Sequence, residues 1–261
     1  MGAIAERDAM IEHERGEIVI LPDQAALAEE AARRCVDLAR AAQRGGRPFT
    51  IALSGGSTPR ALYDLLARAP YRDEVDWSNV HVFWSDERHV PPDDPESCFR
   101  MAREALLDRV PVPAANIYPV PTVGGPPEQA ARAYAETVAA TVSGDPPRFE
   151  LVLLGMGPDG HTASIFPGQP EAVAPSHDLV IAVHNSPKPP PTRVSFTYRL
   201  INAAASVFFL VAGADKAATL REVLRGPSDR VRLPAQGVRS SDGRLVWLVD
   251  ALAAQDLRQK G

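Results

Sequence analysis

Long apolar runs are missing from this chain. Although 45% of its 261 residues are hydrophobic, no stretch approaches the roughly 18 residues that a membrane-spanning helix needs. Cysteine is scarce too. The two present, Cys35 and Cys98, have neither metal-ligand nor redox spacing, which points to a reducing compartment, the cytoplasm. Charge of one sign is not concentrated anywhere. A net charge of −5 with both signs well mixed argues against a nucleic-acid binder, whose footprint is basic. The first residues carry Glu6, Arg7, Asp8, Glu12 and Glu14, unlike a secretory signal peptide. No cluster of His, Cys, Asp or Glu has metal-ligand spacing, so neither a metal nor another cofactor is expected. Lysine is rare: Lys188, Lys216 and Lys260 stand among many arginines, which reads as genomic bias but makes each lysine worth attention.

What is present is an alternation of strands and helices. Residues 1–15 read as a mobile extension and residues 16–261 as a single domain. Gly16 to Leu21 predicts a strand, and Asp23 caps a helix with Leu27, Ala31, Cys35 and Leu38 on its apolar face. Pro48 to Leu53 is the next strand, running into Ser54-Gly55-Gly56-Ser57-Thr58-Pro59. Ser57 or Thr58 is the expected N-cap of the following helix, with Pro59 at its first position. Such a turn offers backbone N–H groups, hydroxyls and a positive helix end to an anion. It lacks the lysine of a nucleotide-binding P-loop, so a phosphorylated small molecule fits better than ATP.

Val80 to Trp84 predicts a third strand, ending in Ser85-Asp86-Glu87-Arg88-His89; this loop is either part of a ligand edge or a solvated turn with local ion pairs. Helices follow over Ser97–Val110 and Pro127–Val142, with a short strand at 116–118 between them. Strands are expected again at 150–154, 179–184, 193–197, 207–211 and 245–249. Ser186 to Arg193 is a stiff, proline-rich connection. Asp215 is placed to cap a helix over 216–225. Lys216 then sits at a helix N-terminus, where the dipole disfavours it unless an anion compensates. This pattern describes one open, mostly parallel α/β sheet with helices on both faces, and its loops after strands gather along one edge.

The loop after the 150–154 strand, Gly155-Met156-Gly157-Pro158-Asp159-Gly160-His161, carries the chemistry. Its glycines match G-x-G-x-x-G, but Pro167, Pro170 and Pro175 leave little room for the helix of a dinucleotide site. The next apolar run ends in His184-Asn185 rather than an acid. The glycines instead permit close backbone approach to a ligand, and a histidine such as His161 is the residue type that suits proton transfer near neutral pH. Asp159 either orients that histidine or simply forms the turn. His81 and His184 read as structural histidines, and His13 and His177 as surface ones.

LSGGSTP, WSDERHVP, LLGMGPDGHTASIFPG, PPPTRVSFTYRLINAA, GADKA and LPAQG, in this order from Gly16 onward, resemble the 6-phosphogluconolactonase family. That family shares its fold with glucosamine-6-phosphate deaminases. Thr162 to Pro167 and Asp86-Glu87-Arg88 depart from the deaminase pattern, and Cys98 departs from the lactonase one. The resemblance implies hydrolysis of 6-phospho-D-glucono-1,5-lactone, with His161 as general base and Asp159 beside it. It also implies a substrate site of Ser54, Gly55, Gly56, Ser57, Thr58, Asp86, Arg88, Gly157, Arg193 and Lys216. The implied partner is a small sugar phosphate lactone, without nucleic acid or membrane, in a monomer or weak homodimer. The alternatives are a deaminase or isomerase using Asp86 or Asp159 as base, and a non-catalytic sugar-phosphate sensor.

Overall fold

The computed structural model describes residues 9–13, 15–169, 177–241 and 243–257. Strand β1 (Ala9–His13) pairs antiparallel with β2 (Gly16–Leu21). The described part of the expected extension therefore belongs to the sheet, where it covers what would be an open edge of β2; residues 1–8 and 14 lie outside the described residues. Helix α1 (Gln24–Arg44) starts where expected, its Asp23 carboxylate accepting from the Ala26 N–H at 2.8 Å. Then come β3 (Phe49–Leu53), α2 (Ser57–Leu66), β4 (Val80–Trp84) and β5 (Asp86–Arg88). Helix α3 is Cys98–Ala105 only, because Leu106 leaves the helical region (φ −133°) and a 3-10 turn, Leu107–Arg109, replaces the expected last turn. The short strand expected at 116–118 reduces to one bridge between Val82 and Ile117. The chain continues through α4 (Pro127–Thr141), β6 (Leu151–Gly155), β7 (Val180–Val183), β8 (Arg193–Phe196), α5 (Tyr198–Asn202), β9 (Ser206–Val211), α6 (Ala217–Arg225) and β10 (Arg244–Asp250).

The main sheet runs β1-β2-β10-β9-β6-β3-β4, parallel except for β1. Every residue of β3 and β9 is buried, so both faces are covered, which is why these strands read as unbroken apolar runs. The expectation of one sheet needs an addition. A second, antiparallel sheet of order β5-β8-β7 forms where the chain leaves β4, turns at Ser85 and pairs Asp86–Arg88 with Ser195–Arg193.

Two neighbouring strands fix the functional edge. From β3 the chain passes through α2 to β4 on one side, whereas from β6 it moves to β9 and β10 on the other. The crevice between β3 and β6 is thus the switch point of the sheet, where ligands of open α/β folds bind. Two buried tyrosines brace this edge. Tyr63 accepts from the Ser54 N–H at 3.0 Å and donates to the Ser54 carbonyl at 2.9 Å. Tyr134 does the same for Trp84, at 2.7 and 3.2 Å. Replacing one hydroxyl strands two buried backbone groups, at a cost of about 1–3 kcal/mol. Tyr63→Phe is expected to lose that much in chemical denaturation and to raise KM, since Ser54 opens the anion loop; an unchanged midpoint would show that water replaces the hydroxyl.

Candidate active site

A cleft of about 290 Å³ lies at the C-terminal ends of β3 and β6. Its walls include Ser54 to Pro59, Asp86, Arg88, Cys98, Gly155 to Pro158, His161, Lys188, Arg193 and Lys216. Two larger hollows, about 730 and 630 Å³, lie at the opposite edge around Gly16, Arg244 and Trp247, and neither has a histidine or lysine among its described lining residues. Size therefore does not mark the site; convergent chemistry does.

On the β3 side the anion loop forms with one change from expectation. Gly56, at φ +113°, is the N-cap, and α2 begins at Ser57, so neither Ser57 nor Thr58 caps it and Pro59 is its third residue. Only glycine sits comfortably at that φ, and the Ser57 and Thr58 N–H groups remain at the positive helix end. Ser54 Oγ and Arg88 Nε are buried with no hydrogen-bond partner among the described residues, and both residues line the cleft. Gly55 faces the thiol of Cys98: a Cβ there would stand 2.5 Å from Sγ.

Of the two readings open for the loop after β4, the structure rules out the solvated turn and places Asp86 and Arg88 at the cleft. Ser85, Asp86 and Glu87 are buried because the segment is strand β5. Glu87 accepts from the N–H groups of Arg88, Cys98 and Phe99 at 2.7–2.8 Å, anchoring the start of α3. Burial pushes its carboxyl up, against the pull of those backbone donors. Asp86 accepts from Ser164 Oγ at 2.6 Å, tying β5 to the loop after β6. Arg88 Nη1 donates to the Glu96 carbonyl at 2.6 Å.

On the β6 side, His161 Nδ1 lies 2.5 Å from Asp159 Oδ1, so of the two roles open to Asp159 the structure shows contact with the histidine. Gly157 makes room for it, because a Cβ at 157 would collide with the imidazole and the Asp159 carboxylate. The loop is held from several directions. The Ala235 N–H donates to the Gly160 carbonyl at 2.9 Å, Thr219 Oγ1 to the Pro158 carbonyl at 2.6 Å, and Thr162 Oγ1 to the Gly155 carbonyl at 2.9 Å. Partial burial would raise the Asp159 carboxyl. The hydrogen bond and charge of His161 outweigh it, and with help from Lys188 they hold Asp159 well below the usual carboxylate range. Asp159 is therefore charged throughout neutral pH, and its bond to Nδ1–H leaves Nε2 as the basic nitrogen.

The remaining cations differ in freedom. Arg193 is spent partly on structure: Nε donates to the Pro190 carbonyl, and Nη2 to those of Lys188 and Pro189, at 3.1–3.2 Å. Burial lowers its pKa. Its guanidinium stacks 5.6 Å from the Phe166 ring centroid, and that ring lies 4.8 Å from the imidazole of His161. Asp215 does not cap a helix. Ala214–Lys216 is a 3-10 turn, α6 begins at Ala217, and Asp215 pairs with Lys216 at 2.7 Å. The anion demanded by that lysine is, in the resting protein, its own neighbour.

The structure thus brings every predicted site residue except Asp159 into the walls of one cleft, and Asp159 joins it through its contact with His161. Sequence reasoning passed over Phe166 and Lys188; the second was visible as one of three lysines. Of the other histidines, His81 meets the Tyr118 hydroxyl at 3.1 Å and His184 meets Glu128 at 2.6 Å, both away from the cleft.

Comparison with known proteins identifies the family. Residues 22–247 match the family described as glucosamine-6-phosphate isomerases/6-phosphogluconolactonase. A 6-phosphogluconolactonase of Synechocystis is 46% identical over 212 residues, covering 80% of this chain and 85% of the relative. The crystal structure of 6-phosphogluconolactonase from Thermotoga maritima superposes with a TM-score of 0.76 at 32% identity, over 89% of this chain and 98% of that one. A monomeric glucosamine-6-phosphate deaminase, at 20% identity and a TM-score of 0.77 over 92% and 99% of the two chains, shares the fold.

The contact at Gly55 gives a direct test of the anion loop. Gly55→Ala is expected to destabilise the protein by about 1–3 kcal/mol through overpacking against Cys98, and Gly55→Ala/Cys98→Ala to recover most of that loss in a double-mutant cycle by denaturation. Additive effects would mean that the two residues are not in contact.

Proposed function

The chain belongs to the glucosamine-6-phosphate isomerase/6-phosphogluconolactonase family, and from that premise we propose that it hydrolyses 6-phospho-D-glucono-1,5-lactone to 6-phospho-D-gluconate, the second step of the oxidative pentose phosphate pathway, with His161 as general base. The observation that carries the mechanism is the 2.5 Å contact of Asp159 with His161 Nδ1 in a cleft that also holds the anion loop.

His161 Nε2 takes a proton from water as its oxygen attacks the lactone carbonyl. Backbone N–H groups of the glycine-rich loop stabilise the resulting oxyanion. When the bond between the carbonyl carbon and the ring oxygen breaks, the imidazolium returns the proton to that oxygen, and the new carboxylic acid ionises. Asp159 fixes the tautomer and steadies the imidazolium between the two transfers. The phosphate lies against Gly55, Gly56, Ser57 and Thr58, with Ser54 Oγ, Arg88 and Lys216 as further donors and Nη1 of Arg193 as the nitrogen not committed to carbonyls. Gly157 supplies room, and Asp86 positions the loop through Ser164.

The deaminase reading has less support. Enolisation needs an open carboxylate, but Asp86 is engaged by Ser164 and Asp159 by His161. A sensor would not need the aligned Asp–His pair. Every group used comes from one chain, so the reaction needs no residue of a partner subunit, as a monomer or weak homodimer would require. A freely diffusing sugar phosphate suits a cytoplasmic enzyme, and no described helix is long and apolar enough to cross a membrane.

In a coupled assay corrected for spontaneous hydrolysis, His161→Ala is expected to lower kcat by about 10²-fold or more while 6-phosphogluconate still binds. Asp159→Asn is expected to cost about 10- to 10²-fold, as loss of a group that orients a histidine does. Full turnover by His161→Ala would remove the base from the mechanism. Ammonia release from glucosamine 6-phosphate without lactonase activity would favour the deaminase.

A further inference from the structure

Asp159 Oδ1 has three positively polarised neighbours. His161 supplies two of them, Nδ1 at 2.5 Å and its backbone N–H at 3.3 Å, and the third is Lys188 Nζ, at 3.8 Å. Lys188 arrives from the turn between β7 and β8, and its backbone is fixed there. The Lys188 carbonyl accepts from Ser186 Oγ at 2.8 Å and from Arg193 Nη2 at 3.1 Å, while its N–H donates to Ser186 Oγ at 3.2 Å. Prolines on either side, Pro187 and Pro189, restrict the turn further. The ammonium is therefore presented to the cleft from a braced support.

Other charges around the His161–Asp159 pair are already committed. Lys216 is paired with Asp215, whose carboxyl is held down first by the Lys216 hydrogen bond and, more weakly, by Lys188. Arg193 lies behind the Phe166 ring, spent on carbonyls. Asp86 accepts from Ser164. Arg88 and the buried thiol of Cys98 face the anion loop. Lys188 is the cation set on the same oxygen that His161 uses.

A carboxylate beside an imidazole favours its protonated form, and a general base must be unprotonated to begin the reaction. We propose that Lys188 is a positioning residue that sets the working pH of the His161 base. Its charge draws on the shared Asp159 oxygen, so less of the carboxylate's charge acts on the imidazole that it aligns. This rests on His161 being the base.

The sign follows from the charges. Removing the ammonium leaves more of the Asp159 charge to the imidazolium, so the histidine binds its proton to a higher pH. The acid limb of the kcat/KM profile then moves up. Lys188 is partly exposed, with 39% of its side chain accessible, so solvent and salt weaken the effect to roughly half a pH unit.

The test compares pH profiles of wild type, Lys188→Gln and Lys188→Arg, together with an NMR titration of the His161 ring identified by its loss in His161→Ala. Lys188→Gln is expected to raise both the acid limb and the ring's midpoint by roughly half a unit at low salt and by much less near 1 M salt; Lys188→Arg should stay near wild type. The proposal fails if Lys188→Gln leaves the ring midpoint in place. It fails equally if KM alone rises, which would make Lys188 a substrate ligand. Should Lys188→Gln fold poorly, Lys188→Met supplies the same neutral side chain without a polar head. The ring titration does not depend on turnover, so an active His161→Ala would overturn the base while the coupling of Lys188 to His161 was still read.

Discussion

The parallel pairing of β3 with β6 is the constraint on which the site depends. Ile51 lies beside Leu151 and Ala52 beside Val152, so the anion loop and the histidine loop leave the sheet as neighbours. Each strand residue advances the chain by about 3.3 Å. A register slip of one residue would move His161 away from the Ser54–Thr58 loop by more than a hydrogen-bond length and turn each side chain to the other face. The unbroken burial of β3 and β6 up to Leu154 makes such a slip costly. The hydrophobic core therefore sets the distance between the two halves of the chemistry.

From that pairing outward, each functional group is held by something that takes no part in the reaction. Tyr63 grips Ser54. Glu87 anchors α3 so that Cys98 packs under Gly55. Asp250, buried at the end of β10, accepts from the Gly213 N–H and the Ala253 N–H, which fixes the turn carrying Lys216. Arg193 shows the same economy: three of its hydrogen bonds stiffen the proline turn that presents Lys188. A site built on rigid elements with supported side chains loses little entropy when substrate binds.

The sequence made the parallel core legible because fully buried strands must be apolar throughout and glycine must appear where backbone turns sharply at their ends. Val207 to Val211 and Gly155 to Gly160 could be read on those grounds alone. Asp86-Glu87-Arg88 could not. Three charged residues in a row look like a solvated loop, and only the long-range partners of Glu87 and the pairing with β8 make burial tolerable. The same limit applies to Ser57 and Asp215. Both have good capping side chains, yet Gly56 takes the cap where φ is positive, and Lys216 lies close enough to claim the Asp215 carboxylate. Lys188 was visible only as a rare residue type, because its meaning comes from an Asp far back in the chain. LPAQG was visible as a motif without a reason; the structure supplies one, since Ala235 hydrogen-bonds the Gly160 carbonyl and Leu233 packs where a Gly160 side chain would go.

The shared fold with a deaminase at 20% identity shows that this scaffold does not by itself choose a reaction. The choice lies in which proton-transfer group the loop after β6 delivers and what surrounds it. Opening a lactone requires one group that first removes a proton from water and then returns it to the ring oxygen. A histidine suits both halves, since its two forms are close in free energy near neutral pH. A carboxylate would be a weak base for the first half and, once protonated, would have to be re-ionised against its own partner. In the proposed reaction, Asp86, buried against Ser164, and Asp159, paired with His161, are both engaged, which leaves the imidazole to face the carbonyl. On that proposal, selectivity for ester hydrolysis over enolisation comes from hydrogen bonds that occupy the competing bases, not from a different framework.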